Sequence, residues 1–485
     1  MFNLVHLLFS LLAISVGCFL RHTAVPAKFP RNVPLISIYL RVYDVLRGVT
    51  EVDFYNNRVR KHLAEHGAVG LWLEGQWAIL IGKPEYICQV LRDKSRSLSR
   101  YGFYLRVPGS TAAGLFGENI IDSDGELHDE FSKHIKPGIE RRHDFGSLMA
   151  KSSQLVSALL RLQTTAASSA GVSVSQAVFQ WSVSVYGEYF LDIEFDPLNF
   201  DEYNIQAILA AQNRSAIGRL KALFPALDRL PWSWTVTRQT RKRFADFEAM
   251  LMEQATRTLN RKIPQGNDDK VIHRMNRARM DGNMSEFHYR SNMKQLFIAG
   301  AENVESALIS AMLELAKNAV LQEQLYHEIE HALPAGCSDQ DLRQLPLLSA
   351  VIYETLRMYP PLALMRNRRT AEMYWLGDDI LIPEGVIIAR NAYGVQTDTT
   401  LWADAATFQP MRWGSDIVTV NSTFSREQVS GRYIPFGLHS RRCLGSSFAI
   451  HQLRIALYKL VLTAEWSLSP GYQFSFSKVS YSNNW

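Results

Sequence analysis

Residues 433–445 read YIPFGLHSRRCLG, and a helix-like apolar run, Ser446 to Glu465, follows directly. The pattern is that of a cysteine delivered by a tight loop onto a helix N-terminus. Such a terminus carries unpaired N–H groups and partial positive charge. Both are expected to hold Cys443 as thiolate, and Arg441, two residues away, adds positive charge. A thiolate placed there serves either as a nucleophile or as a metal ligand. A nucleophile needs a paired base, which a linear sequence does not reveal. A single haem iron needs only one thiolate.

The chain around this loop has 485 residues, 47% hydrophobic and 20% charged, an ordinary globular balance. No Pro/Gly/Ser-rich linker divides the body, so it reads as one large unit, long enough to enclose a big cofactor. The net charge of +5 is mild and the basic residues are spread among acids. No basic stripe with interleaved aromatics occurs, which argues against nucleic-acid binding. Cysteines are few: Cys18, Cys88, Cys337 and Cys443, with no C-x-x-C pair. Their spacing fits neither a zinc site nor a disulfide framework, and it suits a reducing compartment.

Residues 1–20, MFNLVHLLFSLLAISVGCFL, contain no Lys, Arg, Asp or Glu. A bilayer core takes about 20 apolar residues as helix, so the segment reads as a transmembrane anchor. Arg21, Lys28 and Arg31 follow it and no basic residue precedes it, which puts the body on the cytosolic side. A cleaved secretory signal is the rival reading; the n-region lacks the expected positive charge. Residues 21–40 form a spacer stiffened by Pro26, Pro30 and Pro34. Residues 41–485 remain as the catalytic unit. With the body in the cytosol, the sequons at Asn213, Asn283 and Asn421 stay unmodified.

Helical patterns dominate that body: Arg58–His66, Phe145–Gln163, Arg238–Lys262, Ser285–Asn318, Val320–Leu333 and Gln344–Met358. Small-polar residues around Thr164–Gly171 and a polar stretch, Gln265–Met284, read as loops. Strand-like runs are few: Val69–Leu73 and Trp77–Ile81, with Gly75 and Gln76 between them as a hairpin turn, and Val386–Arg390. The expected fold class is mainly α with small β-sheets.

The cysteine loop resembles the haem-binding segment of the cytochrome P-450 family, F-x-x-G-x-R-x-C-x-G, with Phe436, Arg441, Cys443 and Gly445 in register. The resemblance implies the cytochrome P-450 fold and haem b (heme, iron protoporphyrin IX). Cys443 is then the iron ligand, Arg441 binds a haem propionate and Phe436 shields the sulfur. His439 stands where the family has glycine. Histidine tolerates left-handed backbone better than branched residues do, so the loop is expected to form with a tolerated substitution there, an alternative iron ligand being the rival reading.

Upstream motifs keep the same order. Glu354 and Arg357 form the chain's single E-x-x-R, on one helix face, and Pro360-Pro361 follow. Phe408 to Trp413 resembles the family's F-x-P-x-R-F/W segment, so Glu354, Arg357 and Arg412 are expected to form a buried charge network bracing the cysteine loop. Phe297 to Val304, FIAGAENV, resembles the oxygen-binding segment A/G-G-x-D/E-T-T/S. Ala299 and Gly300 are small enough for the backbone to pass close to a flat macrocycle. Glu302 takes the acid position and Asn303 replaces the family's threonine, so both are the candidate catalytic residues. An amide donates and accepts hydrogen bonds but is a poor proton carrier. The bland reading of Glu302 is a solvated helix charge. Asp124 to Pro137 is similar to the family's W-x-x-x-R helix, with His128 at the tryptophan position and Ser132 at the arginine position. His128 or Lys133 then compensates at a propionate. Arg368 occupies the family's other propionate position, with Arg366 and Arg369 as competitors.

The resemblance implies a monooxygenase of the microsomal type: single-pass in the endoplasmic reticulum membrane, fed with electrons from NADPH through an NADPH-cytochrome P-450 reductase. Arg141, Arg142, Arg432 and Arg442 are candidates for its docking face. The pocket is expected from the 101–115 loop, Phe297, Ala301 and 362–365, which are mostly apolar, so the substrate is a hydrophobic small molecule. The A-G-x-E-N-V form points to fungal secondary metabolism. Two alternatives stay open: rearrangement or dehydration without oxygen insertion, and a non-enzymatic haem sensor.

Overall fold

The computed structural model describes residues 2–469 except 94, 96, 166–170, 196–204, 206, 207, 210–212, 230–233, 262–268 and 333–336. The ends of the expected helices at Lys262 and Leu333, and most of the expected loop around Thr164–Gly171, lie outside the described residues.

Long helices form the bulk: α1 (Phe2–Thr23), α2 (Ile38–Leu46), α3 (Gly125–Glu140), α4 (Phe145–Thr165), α5 (Ser175–Tyr186), α6 (Ala216–Leu223), α7 (Trp234–Leu259), α8 (Val271–Met280), α9 (Glu286–Lys317), α10 (Pro346–Met358) and α11 (Ser446–Thr463). The small sheet comprises β1 (Ala68–Leu73), β2 (Gln76–Ile81), β3 (Leu98–Arg100), β4 (Leu364–Thr370) and β7 (Ile387–Asn391), in the order β1-β2-β7-β4-β3. A separate ribbon pairs β5 (Tyr374–Leu376) with β6 (Ile380–Ile382). This is the mainly α class with small β-sheets that the sequence pattern implies.

Helix α9 organises the body. Ser285 caps it, its hydroxyl accepting from the His288 N–H at 3.1 Å, which satisfies one of the orphan donors of the first turn. It is long and apolar enough to cross a membrane, yet 67% of its most apolar window is buried in protein, so it is the central core helix. At Gly300 it meets α5 so closely that an added Cβ would lie 2.2 Å from the Tyr186 ring. The small residue there serves helix packing as well as the cavity wall that the sequence pattern implies.

Two expectations need correction. The polar stretch Gln265–Met284 contains helix α8, which buries Val271, Ile272, Met275 and Ala278. Its interleaved arginines hide that apolar face from a reading of polarity. Gly138 of α3 receives it: a Cβ there would come within 2.9 Å of Val271. The hairpin turn is Glu74-Gly75, both with positive φ (48° and 88°), while Gln76 pairs with Leu73 inside the sheet. Two left-handed residues in succession match the twist of a two-residue hairpin.

The 21–40 spacer packs along this hairpin. Phe29 and Val33 are buried, and Ile36 N–H donates to the Gly70 carbonyl at 2.8 Å. The end of α1 is tied to the same place: Trp77 Nε1–H donates to the Thr23 carbonyl at 3.0 Å. By contrast Ile14, Val16, Phe19 and Leu20 are exposed, and so are Leu35, Tyr39, Leu40, Tyr43 and Leu46 in and beside α2.

Candidate active site

The cysteine loop folds by backbone geometry. Cys443 N–H donates to the Phe436 carbonyl at 2.8 Å, and Arg442 N–H to His439 at 3.1 Å. His439 is left-handed, with φ +57°, as is Gly437 at +66°. His439 is exposed and lies outside the set of residues lining the cavity described below, so it is a tolerated substitution rather than a ligand. Gly445 caps α11, and its N–H donates toward the sulfur.

Behind the loop stands the expected charge network. Glu354 accepts from Arg357 Nε and Arg357 Nη2 at 2.8 Å each, from Arg412 Nε at 3.0 Å, from Trp413 Nε1 at 3.1 Å and from the Gln409 N–H at 2.9 Å. Arg357 Nη1 donates to the carbonyls of Gln396 and Ala405 at 2.7 and 2.9 Å. Gln396 in turn accepts from Ile434 N–H at 2.8 Å, the start of the cysteine loop. Tyr433 adds a bond from its hydroxyl to the Tyr353 carbonyl at 3.1 Å. The network therefore braces the loop through Gln396, a residue no motif marked.

Cys443 opens onto a cavity of about 610 Å³ bounded by the loop, α3, α9 and β4. Cys443 is exposed by its accessible surface and is one of the residues lining this cavity. Burial pushes the thiol pKa up; the Gly445 N–H and Arg442 pull it down, but less. Burial thus opposes the ionisation expected from the loop alone, and coordination to a cation would deprotonate such a thiol. Phe436, Arg441, Gly445 and His128 line the same cavity, as do Ala299, Gly300, Glu302 and Asn303 on the α9 wall. Lys133 is exposed and outside that lining; Ser132 and Lys136 are within it. Phe297 and Ala301 are fully buried core residues, and the lining falls instead to Leu296, Ile298, Val304 and Ala307. The α9 turn rotates the expected pair inward, where Phe297 packs on Tyr186, Phe195 and Phe247.

One end of the cavity is strongly cationic. Arg441 donates to the carbonyl of Ser123 at 2.8 Å and lies 3.5 Å from Asp124; burial lowers its pKa to about 10. Arg368 faces a small cleft shared with Arg100 and Arg390, and these last two also line the main cavity. Arg368 and Arg100 are direct cross-strand neighbours of β4 and β3. Like charges in that register destabilise a sheet. Burial and the charges of Arg368, Arg441 and Arg390 hold the Arg100 pKa well below its usual range, and burial with Arg368 lowers that of Arg390 to about 10. Among the described residues, the Nε atoms of Arg100 and Arg368 are buried with no hydrogen-bond partner. His128 is pushed down by burial and by Arg441. Such a cluster is costly until anions enter it. Two carboxylates close to one another, as on a haem edge, match it, so the residues present fit haem with Cys443 as its ligand. Arg100 and Arg390 escaped the sequence reading because each is a lone arginine at the end of a short strand.

Glu302 is not a solvated charge. It is 1% exposed, and its Oε1 accepts the Ile205 N–H at 2.8 Å. Asn303 donates its Nδ2–H to the Ala299 carbonyl at 3.0 Å, one turn back. Glu305, three residues on, is buried, and desolvation followed by the charge of Glu302 pushes its pKa up to about 8. The folded protein then keeps this proton at neutral pH, whereas the unfolded chain releases it above the ordinary 4.5. The contribution of Glu305 to stability therefore falls as pH rises from 5 to 8, by up to about 1.4 kcal/mol per pH unit. Glu305→Gln should flatten that slope in urea-unfolding series at pH 5 to 8; an unchanged slope rules the assignment out.

Of the candidate docking arginines, Arg141 donates to the Tyr189 carbonyl at 2.9 Å and Arg432 pairs with Glu427 at 2.8 Å, leaving Arg142 and Arg442 exposed.

Comparison with known proteins agrees with this geometry. The sequence pattern of the family described as cytochrome P450 matches residues 41–478. The chain is 31% identical to cytochrome P-450 monooxygenase xanG of Aspergillus fumigatus, over 96% of this chain and 88% of that protein. It is 26% identical to cytochrome P-450-DIT2 of Saccharomyces cerevisiae, over 92% and 90% of the two chains. A shorter match, 32% identical over 37% of this chain and 36% of the relative, is to fusicoccadiene 8-ol C-16 hydroxylase of Alternaria brassicicola. A family pattern covering most of the chain, together with a relative above 30% identity along nearly all of it, sets aside the non-enzymatic sensor. The chain belongs to the cytochrome P-450 family and is a haem-thiolate monooxygenase.

Proposed function

We propose that the protein inserts one atom of dioxygen into a hydrophobic small molecule of fungal secondary metabolism, with electrons from NADPH delivered by an NADPH-cytochrome P-450 reductase. The observation that carries this reading is the Cys443 sulfur opening onto a mostly apolar cavity between the arginine cluster and the α9 wall. Cys443 would hold the iron. Arg441 and Arg368, helped by Arg100, Arg390 and His128, would hold the propionates, and Phe436 and Gly445 would sheathe the sulfur. Bound haem supplies oxygen activation and the electron relay, while the protein orients and shields. Glu302 is the buried carboxyl on the α9 wall of the cavity, placed to pass a proton into it while its Oε1 accepts the Ile205 N–H. Asn303 has its amide N–H engaged by Ala299 and offers its Oδ1 as an acceptor. The relative named as a hydroxylase of fusicoccadiene 8-ol is in keeping with a lipophilic substrate.

Residues 1–20 serve as a single-pass anchor in the endoplasmic reticulum membrane, with residues 41–485 as the catalytic unit on the cytosolic side. The exposed apolar residues of α1 and α2 support this. The test is aerobic incubation of membranes carrying the protein, reductase and NADPH with candidate biosynthetic intermediates. A product heavier by one oxygen is expected, formed only with both NADPH and dioxygen. Turnover independent of either sinks the proposal and favours rearrangement or dehydration.

A further inference from the structure

A second charge cluster sits at the cavity and shares no member with the first. Glu74, at the tip of the β1–β2 hairpin, is ion-paired to both Arg106 and Arg366, the latter at 2.9 Å. All three side chains are buried. Arg106 also donates to the carbonyls of Arg366 and Tyr101, and its guanidinium lies over the Phe103 ring at 4.5 Å. Both arginines line the cavity; Glu74 does not. The charges felt at Arg366 are those of Glu74, Arg106, Glu51 and Arg41, none of which belongs to the arginine group beside Asp124. Arg41 and Glu51 pair with one another.

One carboxylate thus serves two buried guanidiniums, which leaves one positive charge uncompensated. Among the described residues, Arg366 Nε and Arg106 Nε are buried with no hydrogen-bond partner, and Arg366 Nη2 has only its ion-pair contact with Glu74. An unmatched buried cation is unfavourable unless a counter-charge reaches it, and a planar guanidinium fork binds carboxylates best. Elsewhere the cavity lining is mostly apolar, with Phe103, Phe116, Ile298, Val304, Leu362 and Met365. We propose that Arg106 and Arg366, spaced by Glu74, form a subsite that binds a carboxylate on an otherwise hydrophobic substrate. The substrate class is accordingly an amphiphilic organic acid, held by its acid group while its apolar part lies in the cavity. This inference rests on the monooxygenase reading and sharpens its substrate.

The experiment uses the full-length, haem-loaded protein and a series of aryl-alkanoic acids, each against its methyl ester. Binding is read by equilibrium dialysis and by the shift of the haem absorption. Acids should bind about tenfold or more tighter than their esters, the discrimination expected of a charge-assisted hydrogen bond. Arg366→Gln and, separately, Arg106→Gln should erase that preference and leave ester binding unchanged. Arg366→Lys should keep part of it, and Glu74→Gln, which frees both guanidiniums, should raise acid affinity. Acids that bind no tighter than esters overturn the subsite, as does an Arg366→Gln protein that weakens both ligands alike. Protein that takes up no haem at all overturns the monooxygenase reading on which the subsite depends.

Discussion

Cys443→Ser should erase the red-shifted Soret band expected of the reduced, carbon-monoxide-treated protein, and with it all NADPH-dependent oxidation. The serine is nearly isosteric, so the loop has no steric reason to change: the Cys443 N–H still donates to Phe436, and His439 and Gly437 keep their left-handed turns. What is lost is the sulfur's electron donation, which favours O–O cleavage. The arginines beside Asp124 remain, so haem uptake should persist at reduced affinity. This separates ligand loss from fold loss. A serine variant with the same red-shifted band would mean that another side chain holds the iron, and the assignment of Cys443 would fall.

The second large effect is on stability. Glu354→Gln should cost about 3–5 kcal/mol, because it strips the one carboxylate from two guanidiniums, of which Arg357 is 0% exposed. The five donors around Glu354 include Trp413 Nε1 and the Gln409 N–H, so the amide also turns a donor toward donors. Arg357 is held to the Gln396 carbonyl, and Gln396 to Ile434 N–H, so the variant should loosen the cysteine loop and lose haem faster. Urea unfolding and the rate of haem transfer to apomyoglobin measure the two effects. A loss below about 1 kcal/mol would show that the network is dispensable, against the rule that breaking a buried pair is costly. Haem retention unchanged in a destabilised variant would show that the bracing of the loop runs elsewhere.

The cysteine loop, the E-x-x-R pair, Arg412 and the bounds of α9 were legible because each rests on local chemistry. A helix cap, a short loop and a charge pair one turn apart leave their mark within a dozen residues. Ser285 as cap and Asn318 as end of α9 are read directly. Helix α8 was not legible, because its apolar face is distributed among arginines. Strand β4 was hidden for a related reason: residues 366–369 read RNRR, and polar residues hold a strand position only because Glu74, Leu98 and Gly385 supply partners from elsewhere.

The sequence by itself determined the family and the helical class and singled out Cys443 as the candidate thiol ligand, since these follow from short patterns whose chemistry is complete within one segment. Only the tertiary structure decided which arginines gather at the cavity, that Glu302 is buried and accepts the Ile205 N–H, and that Phe297 belongs to the core. The reason is physical: burial and charge pairing are properties of segments brought together, such as Arg100 against Arg368 or Glu74 between Arg106 and Arg366, and sequence distance carries no trace of them.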